Sequence, residues 1–194
     1  MWKNNYMGDK ERQAVATYNI MSKKEILDAD DPGVVVIYTD GSAYPNPNGD
    51  GGWAFYCTFR GKDATRYGSA SNTTNNAMEL EAIKHSLLYV PMGKDFDYPI
   101  LIFTDSQYSK NALTKWVHGW QDRQWVTASG APVSNRKIIE PTFDLIVKAE
   151  EHRTLEIRWV KGHAGIPENE LVDQRAGYAR KQRVTNWTAS DPKQ

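Results

Sequence analysis

The chain contains 194 residues, the usual size of one domain with room for a small extension. Apolar residues make up 40% and charged residues 25% of the sequence, which excludes a largely disordered chain. The 24 Lys and Arg residues balance the 24 Asp and Glu residues, and this zero net charge argues against a nucleic-acid partner.

Three further features of the sequence favour a cytoplasmic protein. No apolar run approaches the roughly 20 residues that span a bilayer, so we expect no membrane partner. The first residues lack the apolar segment of a secretory signal. Cys57 is the only cysteine, which excludes an intramolecular disulfide and makes a reducing compartment the default expectation.

The charge is unevenly distributed along the chain. Residues 32–112 carry six basic and eight acidic residues, whereas residues 113–137 carry four basic residues and one acidic residue. The second segment also holds three of the seven tryptophans. A short basic, Trp-rich segment therefore lies inside an otherwise neutral chain, which weakens the argument from net charge.

The sequence divides into an extension, one compact domain and a tail. Residues 1–32 are polar and predict an extension, in which Val15 to Leu27 favour a short helix followed by a linker at 28–33. We expect the domain to span 33–184 and the tail 185–194.

Hydrophobic patterns within the domain predict the element order βββαβ, then helices, then βα. The predicted strands are Val34–Thr39, Trp53–Phe59, Thr65–Ala70, Tyr98–Thr104 and Leu155–Val160, with a long loop at 43–52 and a hairpin turn near Arg60-Gly61. The predicted helices are Asn75–Val90, Ser106–Leu113, Asn135–His152 with an interruption near Pro141, and Pro167 to about Gln182, with residues 114–134 irregular.

Two aspartates share the same sequence context. Asp40 and Asp105 each follow an apolar strand, in Tyr-Thr-Asp-Gly-Ser and Phe-Thr-Asp-Ser-Gln. If the two strands are parallel neighbours, both carboxylates project into one crevice at the carboxyl ends of the strands. An aspartate after a strand is also a common turn former or helix N-cap, and only the repetition favours a shared site.

Glu79 lies at the edge of the apolar stripe of the first predicted helix, formed by Leu80, Ile83, Leu87 and Val90. A carboxylate at that position loses hydration unless a cation or a donor meets it. Asn76 and Glu79 also have the spacing of a capping box, in which Glu79 reaches back to the start of the helix. The local sequence leaves these two interpretations equal.

Asp173 and His163 carry weaker signals. Asp173 flanks the apolar stripe of the last helix and, taken alone, is typical of a solvated surface acid. His163 lies in a Gly-His-Ala-Gly loop after a strand, where a histidine exchanges protons near neutral pH. An ordinary loop histidine is the commoner interpretation.

Taken together and in order, these motifs resemble the type 1 ribonuclease H family. The matching segments are Tyr-Thr-Asp-Gly-Ser (38–42), Asn-Pro (46–47), Thr-Thr-Asn-Asn-Ala-Met-Glu-Leu (73–80), Thr-Asp-Ser-Gln-Tyr (104–108), Trp-Val-Lys-Gly-His-Ala-Gly (159–165) and Pro-Glu-Asn-Glu (167–170) leading to Asp173. The resemblance implies an α/β ribonuclease H-like fold: a five-stranded mixed sheet with three antiparallel strands first, helices on its faces and a Trp-rich helical protrusion.

The resemblance also implies a reaction, which is endonucleolytic cleavage of the RNA strand of an RNA–DNA hybrid by two Mg²⁺ ions, with Mn²⁺ as an alternative. It implies 5′-phosphate and 3′-hydroxyl products and a monomeric enzyme. The metal-binding catalytic acids are matched by Asp40, Glu79, Asp105 and Asp173. His163 matches the assisting base or product-release group. Hard divalent cations prefer such oxygen ligands, and two of them suit in-line displacement at phosphorus.

Substrate contacts are implied by the same resemblance. The positions near the scissile RNA strand are matched by Asn46, Asn75, Asn76 and Gln107. On the DNA strand, Thr74 matches a residue of a phosphate pocket and Trp116 matches a residue beside the strand. Asn169 matches a position near His163. Amides both donate to and accept from 2′-hydroxyls. The asparagines are equally suited to capping and turns, and at least one or two of the indoles near Trp116 suit a small satellite core.

Two other functions use the same scaffold. A non-catalytic hybrid-binding module would not need four acids and His163. A DNA-directed nuclease, like the integrases and resolvases, fits poorly with the Asn-Asn-Ala-Met-Glu-Leu and Gly-His-Ala-Gly segments.

The Trp-rich segment also carries basic side chains that we expect near phosphates, namely Lys115, Arg123, Arg136 and Lys137.

Overall fold

A computed structural model describes residues 27–187. The helix predicted around Val15 lies outside these residues, apart from its last residue, Leu27. The strands are β1 (Val35–Tyr44), β2 (Gly49–Phe59), β3 (Lys62–Thr73), β4 (Ile100–Thr104) and β5 (Leu155–Trp159). The helices are α1 (Asn75–Tyr89), α2 (Gln107–Asn111), a π-helical turn (Ala112–Trp116), α3 (Val117–Asp122), α4 (Arg136–Glu150) and α5 (Pro167–Gln182).

The strands form one mixed sheet in the order β3-β2-β1-β4-β5. β1 to β3 are antiparallel, while β4 pairs in parallel with both β1 and β5. This arrangement confirms the predicted five-stranded sheet with three antiparallel strands first. It also makes β1 and β4 parallel neighbours, since Thr39 pairs with Thr104.

The first three strands are longer than predicted, since β3 also runs over Lys62–Thr73 instead of Thr65–Ala70. β1 does not end at Asp40 but continues to Tyr44, and β2 begins at Gly49, so the predicted loop of residues 43–52 shrinks to residues 45–48. The reason is pairing between distant residues: Asp40 lies opposite Ala54, and Tyr44 opposite Asp50. A Pro- and Gly-rich sequence predicts a loop locally, but the backbone hydrogen bonds of the neighbouring strand extend the ladder.

Two of the helix predictions were also wrong. Residues 114–122 are helical rather than irregular, because the chain passes from α2 through the π-helical turn into α3. Pro141 lies inside α4 without ending it. Proline there removes one backbone hydrogen bond at a cost of about 3 kcal/mol, and burial of Ile139, Ile146 and Ala149 offsets that cost.

The main core lies between the sheet and the pair α1 and α4, while α5 covers the opposite face of β1 and β2. Close approach of α5 depends on Gly52, where an added Cβ would lie 2.2 Å from the carbonyl oxygen of Ala176. No helix within residues 27–187 combines the length and apolarity needed to cross a membrane.

Residues beyond α5 pack onto the domain, although the sequence places 185–187 in the tail. The Asn186 N–H donates to the carbonyl of Tyr67, and the Tyr67 N–H donates to Oδ1 of Asn186 at 2.7 Å. These bonds occupy backbone groups at the edge of β3. Trp187 is 4% exposed and lies edge-on to Phe55 and Tyr89. At the start of the described residues, Leu27 is buried against the outer face of β1 and β4.

Candidate active site

Three acids meet where β1 and β4 diverge. One carboxylate oxygen each from Asp40, Glu79 and Asp105 lies within 4.8 Å of the other two. Asp40 is part of β1, Asp105 directly follows β4, and Glu79 belongs to the first turns of α1. We call these three residues the acid cluster. The repeated sequence context of the two aspartates therefore predicted their proximity correctly.

Gly41 lets Glu79 reach the sheet. A Cβ at Gly41 would lie 2.2 Å from the backbone nitrogen of Glu79, so only glycine allows α1 to pass this close to β1. The N-cap of α1 is Thr74, whose side-chain oxygen accepts from the N–H of Ala77 at 3.2 Å. The capping-box interpretation of Glu79 is therefore wrong, and its carboxylate is buried beside Asp40 instead.

Asp105 is held by groups that sequence reasoning did not single out. The indole N–H of Trp159 donates to the backbone carbonyl of Asp105 at 2.8 Å. Gly162 passes so close that an added Cβ would lie 2.6 Å from a carboxylate oxygen of Asp105. In the sequence, Trp159 and Gly162 were marked only by their place in the Trp-Val-Lys-Gly-His segment. The contact between Trp159 and Asp105 joins residues 54 positions apart, and such a contact leaves no local sequence pattern.

Burial and mutual repulsion dominate the electrostatics of the acid cluster. Burial, followed by the charge of Asp105, raises the pKa of Asp40 to about 8, although hydrogen bonds with Glu79 and with the Gly41 N–H oppose the shift. Burial and the charge of Asp40 raise the pKa of Glu79 well above its usual range. The pKa of Asp105 is raised chiefly by burial as well. The protein alone thus favours protonated acids here.

Asp173, His163 and Asn169 surround the acid cluster without joining it. The charge of Asp173, on α5, raises the pKa values of both Asp40 and Asp105, so its carboxylate lies within electrostatic range. Asn169 is buried and hydrogen-bonds Asp105, which lowers the pKa of that acid, and a charge on His163 acts in the same direction. His163 itself is exposed, with a left-handed backbone (φ 52°).

Amide side chains link the loop between β1 and β2 to the start of α1. The backbone N–H of Asn75 donates to Oδ1 of Asn46 at 3.3 Å, and Oδ1 of Asn75 accepts from the N–H of Ala43 at 2.5 Å. These bonds tie the β1–β2 loop to the start of α1, as the turn-and-cap interpretation expects, and they leave both NH₂ groups free within the described chain. The side chains of Asn76 and Gln107 are exposed and form no hydrogen bonds within residues 27–187.

The Trp-rich segment divides its indoles between packing and exposure. Trp125 is buried in the core, whereas Trp116 is 41% exposed. The rings of Trp116 and Trp120 are 5.7 Å apart and lie side by side on the helical segment. Arg136 stacks over Trp125 and pairs with Glu140 at 2.9 Å. Lys115 and Lys137 are exposed cations.

The donor set of the acid cluster suits a divalent cation. Mg²⁺ and Mn²⁺ prefer carboxylate oxygens. Oε2 of Glu79 is buried without a hydrogen-bond partner among residues 27–187, and a cation would satisfy it. None of the groups that chiefly set the three pKa values within these residues is a lysine or an arginine. Among residues 27–187, the three carboxylates form no salt bridge with a lysine or an arginine, and they fit a metal centre.

Comparison with known proteins agrees with this geometry. The family model described as RNase H matches residues 32–181. Ribonuclease H of Chromobacterium violaceum is 39% identical over 142 residues, which cover 73% of this chain and 91% of the relative. Ribonuclease H of Bradyrhizobium diazoefficiens is 42% identical over 143 residues, which cover 74% of this chain and 87% of the relative.

Solved structures show the same fold. LC9-RNase H1, described as a type 1 RNase H with the type 2 active-site motif, is 26% identical with a TM-score of 0.61, over 79% of this chain and 74% of its own. The foamy viral protease-reverse transcriptase, solved in complex with an RNA/DNA hybrid, is 18% identical with a TM-score of 0.63, over 76% of this chain and 20% of its own. This protein belongs to the ribonuclease H family of metal-dependent nucleases.

Proposed function

We propose that this ribonuclease H hydrolyses the RNA strand of RNA–DNA hybrids with two Mg²⁺ ions, or Mn²⁺ in their place, and leaves 5′-phosphate and 3′-hydroxyl ends. The observation that carries the proposal is the acid cluster, whose three carboxylate oxygens lie within 4.8 Å of one another. All of the acids come from one chain, so a monomer suffices.

Four acids would hold the ions: Asp40, Glu79, Asp105 and Asp173. Asp40 is suited to a shared ligand, since both Glu79 and Asp105 contribute to its electrostatic environment. When bound, divalent cations supply an activated water and offset the charge on the phosphate and the leaving oxygen. The buried walls around Asp40 and Glu79 exclude bulk solvent and so strengthen these electrostatic effects.

We assign proton transfer to His163 and the orientation of Asp105 to Asn169. The exposed imidazole of His163 is suited to carry protons between Asp105 and solvent. Asn169 holds the carboxylate of Asp105 in place through its amide. In this account, replacing His163 with alanine slows turnover without abolishing it and leaves metal affinity intact.

Recognition of RNA would depend on the amides near the β1–β2 loop. The free NH₂ groups of Asn46 and Asn75, together with Asn76 and Gln107, are available to 2′-hydroxyls in the shallow minor groove. Thr74 faces a phosphate of the DNA strand in the proposal, and the exposed indole of Trp116 packs beside that strand.

The proposal is tested by incubating the protein with end-labelled hybrid, duplex DNA and duplex RNA, each with Mg²⁺ and with chelator. We expect only the RNA strand of the hybrid to be cut, only with Mg²⁺, and with 5′-phosphate ends. Binding of the hybrid without cutting would instead indicate a non-catalytic hybrid-binding module. Cutting of duplex DNA would indicate a DNA-directed nuclease on the same scaffold.

A further inference from the structure

Tyr44 is an exposed aromatic side chain at the end of β1. It is 72% exposed, the highest value among the exposed large apolar side chains of residues 27–187. The guanidinium of Arg180, on the last turn of α5, lies over its ring with Cζ 5.7 Å from the centroid. The ring and the cation therefore form one paired surface feature that projects from the fold.

Tyr44, which carries this pair, projects from the same face of the sheet as Asp40 of the acid cluster. Asp40, Ser42 and Tyr44 alternate along β1, so their side chains leave the same face of the strand. Four residues of strand place Tyr44 about 13 Å from Asp40. Tyr44 also precedes Asn46 by two residues, and the loop that carries Asn46 is tied to the start of α1.

Arg180 differs from its neighbour Arg183. Arg183 is paired with Asp50, whose Oδ2 lies 2.6 Å from its guanidinium, so most of its charge is offset. Arg180 has no carboxylate partner within the described chain, and its buried Nε has no hydrogen-bond partner there. An uncompensated guanidinium beside an aromatic ring suits a phosphate with its attached sugar and base.

We propose that Tyr44 and Arg180 bind the RNA strand of the hybrid away from the cleavage point, with the ring against a sugar or base and the guanidinium on a phosphate. The inference rests on the proposed function, because Asp40 must mark the scissile phosphate. Successive phosphates of one strand advance about 3.4 Å along the duplex axis, so a contact about 13 Å from the scissile phosphate lies at most about four nucleotides from the cut. Tyr44 and Arg180 are then positioning residues, remote from the reacting atoms.

Steady-state cleavage of a hybrid with one main cut site measures the contribution of the pair. Stacking on an aromatic ring is worth enough that Tyr44→Ala should raise KM about tenfold. The turnover number should change little, because the contact is the same in the ground and transition states. Tyr44→Phe should keep the wild-type KM, and Arg180→Gln should raise KM and flatten its dependence on salt.

Arg60 and Tyr98 provide a matched control. Arg60 lies over the ring of Tyr98, with Cζ 4.5 Å from the centroid, at the hairpin turn that follows the far end of β2. This cation–aromatic pair is as far along the strand from the acid cluster as the sheet allows. Arg60→Ala and Tyr98→Ala should therefore leave KM unchanged. An equal rise in KM in these variants would show a general effect on stability and overturn the inference.

Shortening the substrate locates the contact. When the RNA strand is trimmed from its 5′ or its 3′ end, one series should raise the wild-type KM once the contacted nucleotide, at most about four positions from the cut, is lost. With that nucleotide absent, wild type and Tyr44→Ala should have the same KM. The assignment to the RNA strand would be overturned if the KM values of wild type and Tyr44→Ala still differed after trimming of the RNA from either end. It would also be overturned if that difference disappeared only when the DNA strand was trimmed.

The two proposals fail in different ways. If the unaltered protein cuts the hybrid but Tyr44→Ala has the wild-type KM, the inference is wrong and the proposed function stands. If the unaltered protein does not cut the hybrid with Mg²⁺, the proposed function is wrong, and the inference falls with it. Circular dichroism of Tyr44→Ala and Arg180→Gln checks that both variants are folded.

Discussion

The acid cluster and one other region of the described chain both shield ionisable side chains from solvent, and the two regions treat them in opposite ways. In the acid cluster, one oxygen from each of three carboxylates lies within 4.8 Å of the other two. In the second region, which we call the indole pocket, the imidazole of His85 stacks on Trp53 with ring centroids 4.0 Å apart and meets the edge of Trp187. The indole pocket packs an uncharged ring among other rings, whereas the acid cluster assembles like charges.

The difference distinguishes a packing solution from a functional one. Burial lowers the pKa of His85 to about 4, so the imidazole is neutral near pH 7 and costs little to bury. Burial raises the pKa of Asp40 to about 8, so ionising the acid cluster works against folding. A divalent cation bound to the three carboxylates would offset this cost.

Removing Trp187 should have the largest effect on stability. The side chain is 4% exposed and packs against Phe55, His85 and Tyr89, so Trp187→Ala leaves a large cavity in the main core. We expect the free energy of unfolding to fall by about 3–5 kcal/mol in denaturant titrations. Tyr178→Ala, at a side chain that is 45% exposed, is the control and should change it by less than about 1 kcal/mol.

Acid should weaken the indole pocket. His85 titrates near 6.5 when unfolded and near 4 when folded, so the stability that depends on its neutral form is complete above pH 6.5 and is lost as the pH falls toward 4. Glu81, 3.5 Å from Nε2, favours the charged form but does not outweigh burial. The loss should reach about 2–3 kcal/mol in unfolding measurements, and His85→Phe should remove it. The same loss in His85→Phe would assign the effect elsewhere.

The metal-free acid cluster should respond to pH in the opposite direction. The folded pKa of Asp40, about 8, lies above its ordinary value of 3.8, so the cost of ionisation is complete above pH 8 and disappears as the pH falls toward 4. Asp40→Asn should therefore stabilise the protein in chelator at pH 8 by at least about 1 kcal/mol. A less stable Asp40→Asn variant under these conditions would contradict the repulsion described here.

Magnesium affinity should follow the same titration. Because Mg²⁺ binds carboxylates and displaces their protons, calorimetry should show the affinity rising by up to about tenfold per pH unit below pH 8, then levelling. Asp40→Asn should bind Mg²⁺ more weakly and with less dependence on pH. An affinity that does not change between pH 6 and pH 8 would mean that the acids are already ionised in the free protein.

The sequence predicted the acid cluster better than the indole pocket, for a physical reason. Asp40 and Asp105 repeat one local context, a buried strand followed by an acid, so their meeting follows from parallel pairing alone. Trp187 lies 132 residues from Phe55 along the chain, and its burial depends on how 184–187 return to β3. No local pattern encodes that return.

The same limit explains the other errors. β1 extends beyond Asp40 because β2 pairs with it, and Glu79 turns inward because Gly41 leaves room. Both causes lie in another part of the chain. The helix start at Thr74, in contrast, follows a local rule for serine and threonine caps and was open to prediction from the sequence.

The central claim is that the acid cluster is a metal centre for cleavage of the RNA strand. Its most direct test is the rate of hybrid cleavage at saturating Mg²⁺ by Asp40→Asn, measured beside Asp63→Asn, a matched change at an exposed acid of β3. Asp40→Asn should fall to the rate seen in chelator, while Asp63→Asn keeps the wild-type rate. Wild-type turnover by a folded Asp40→Asn variant would contradict the account.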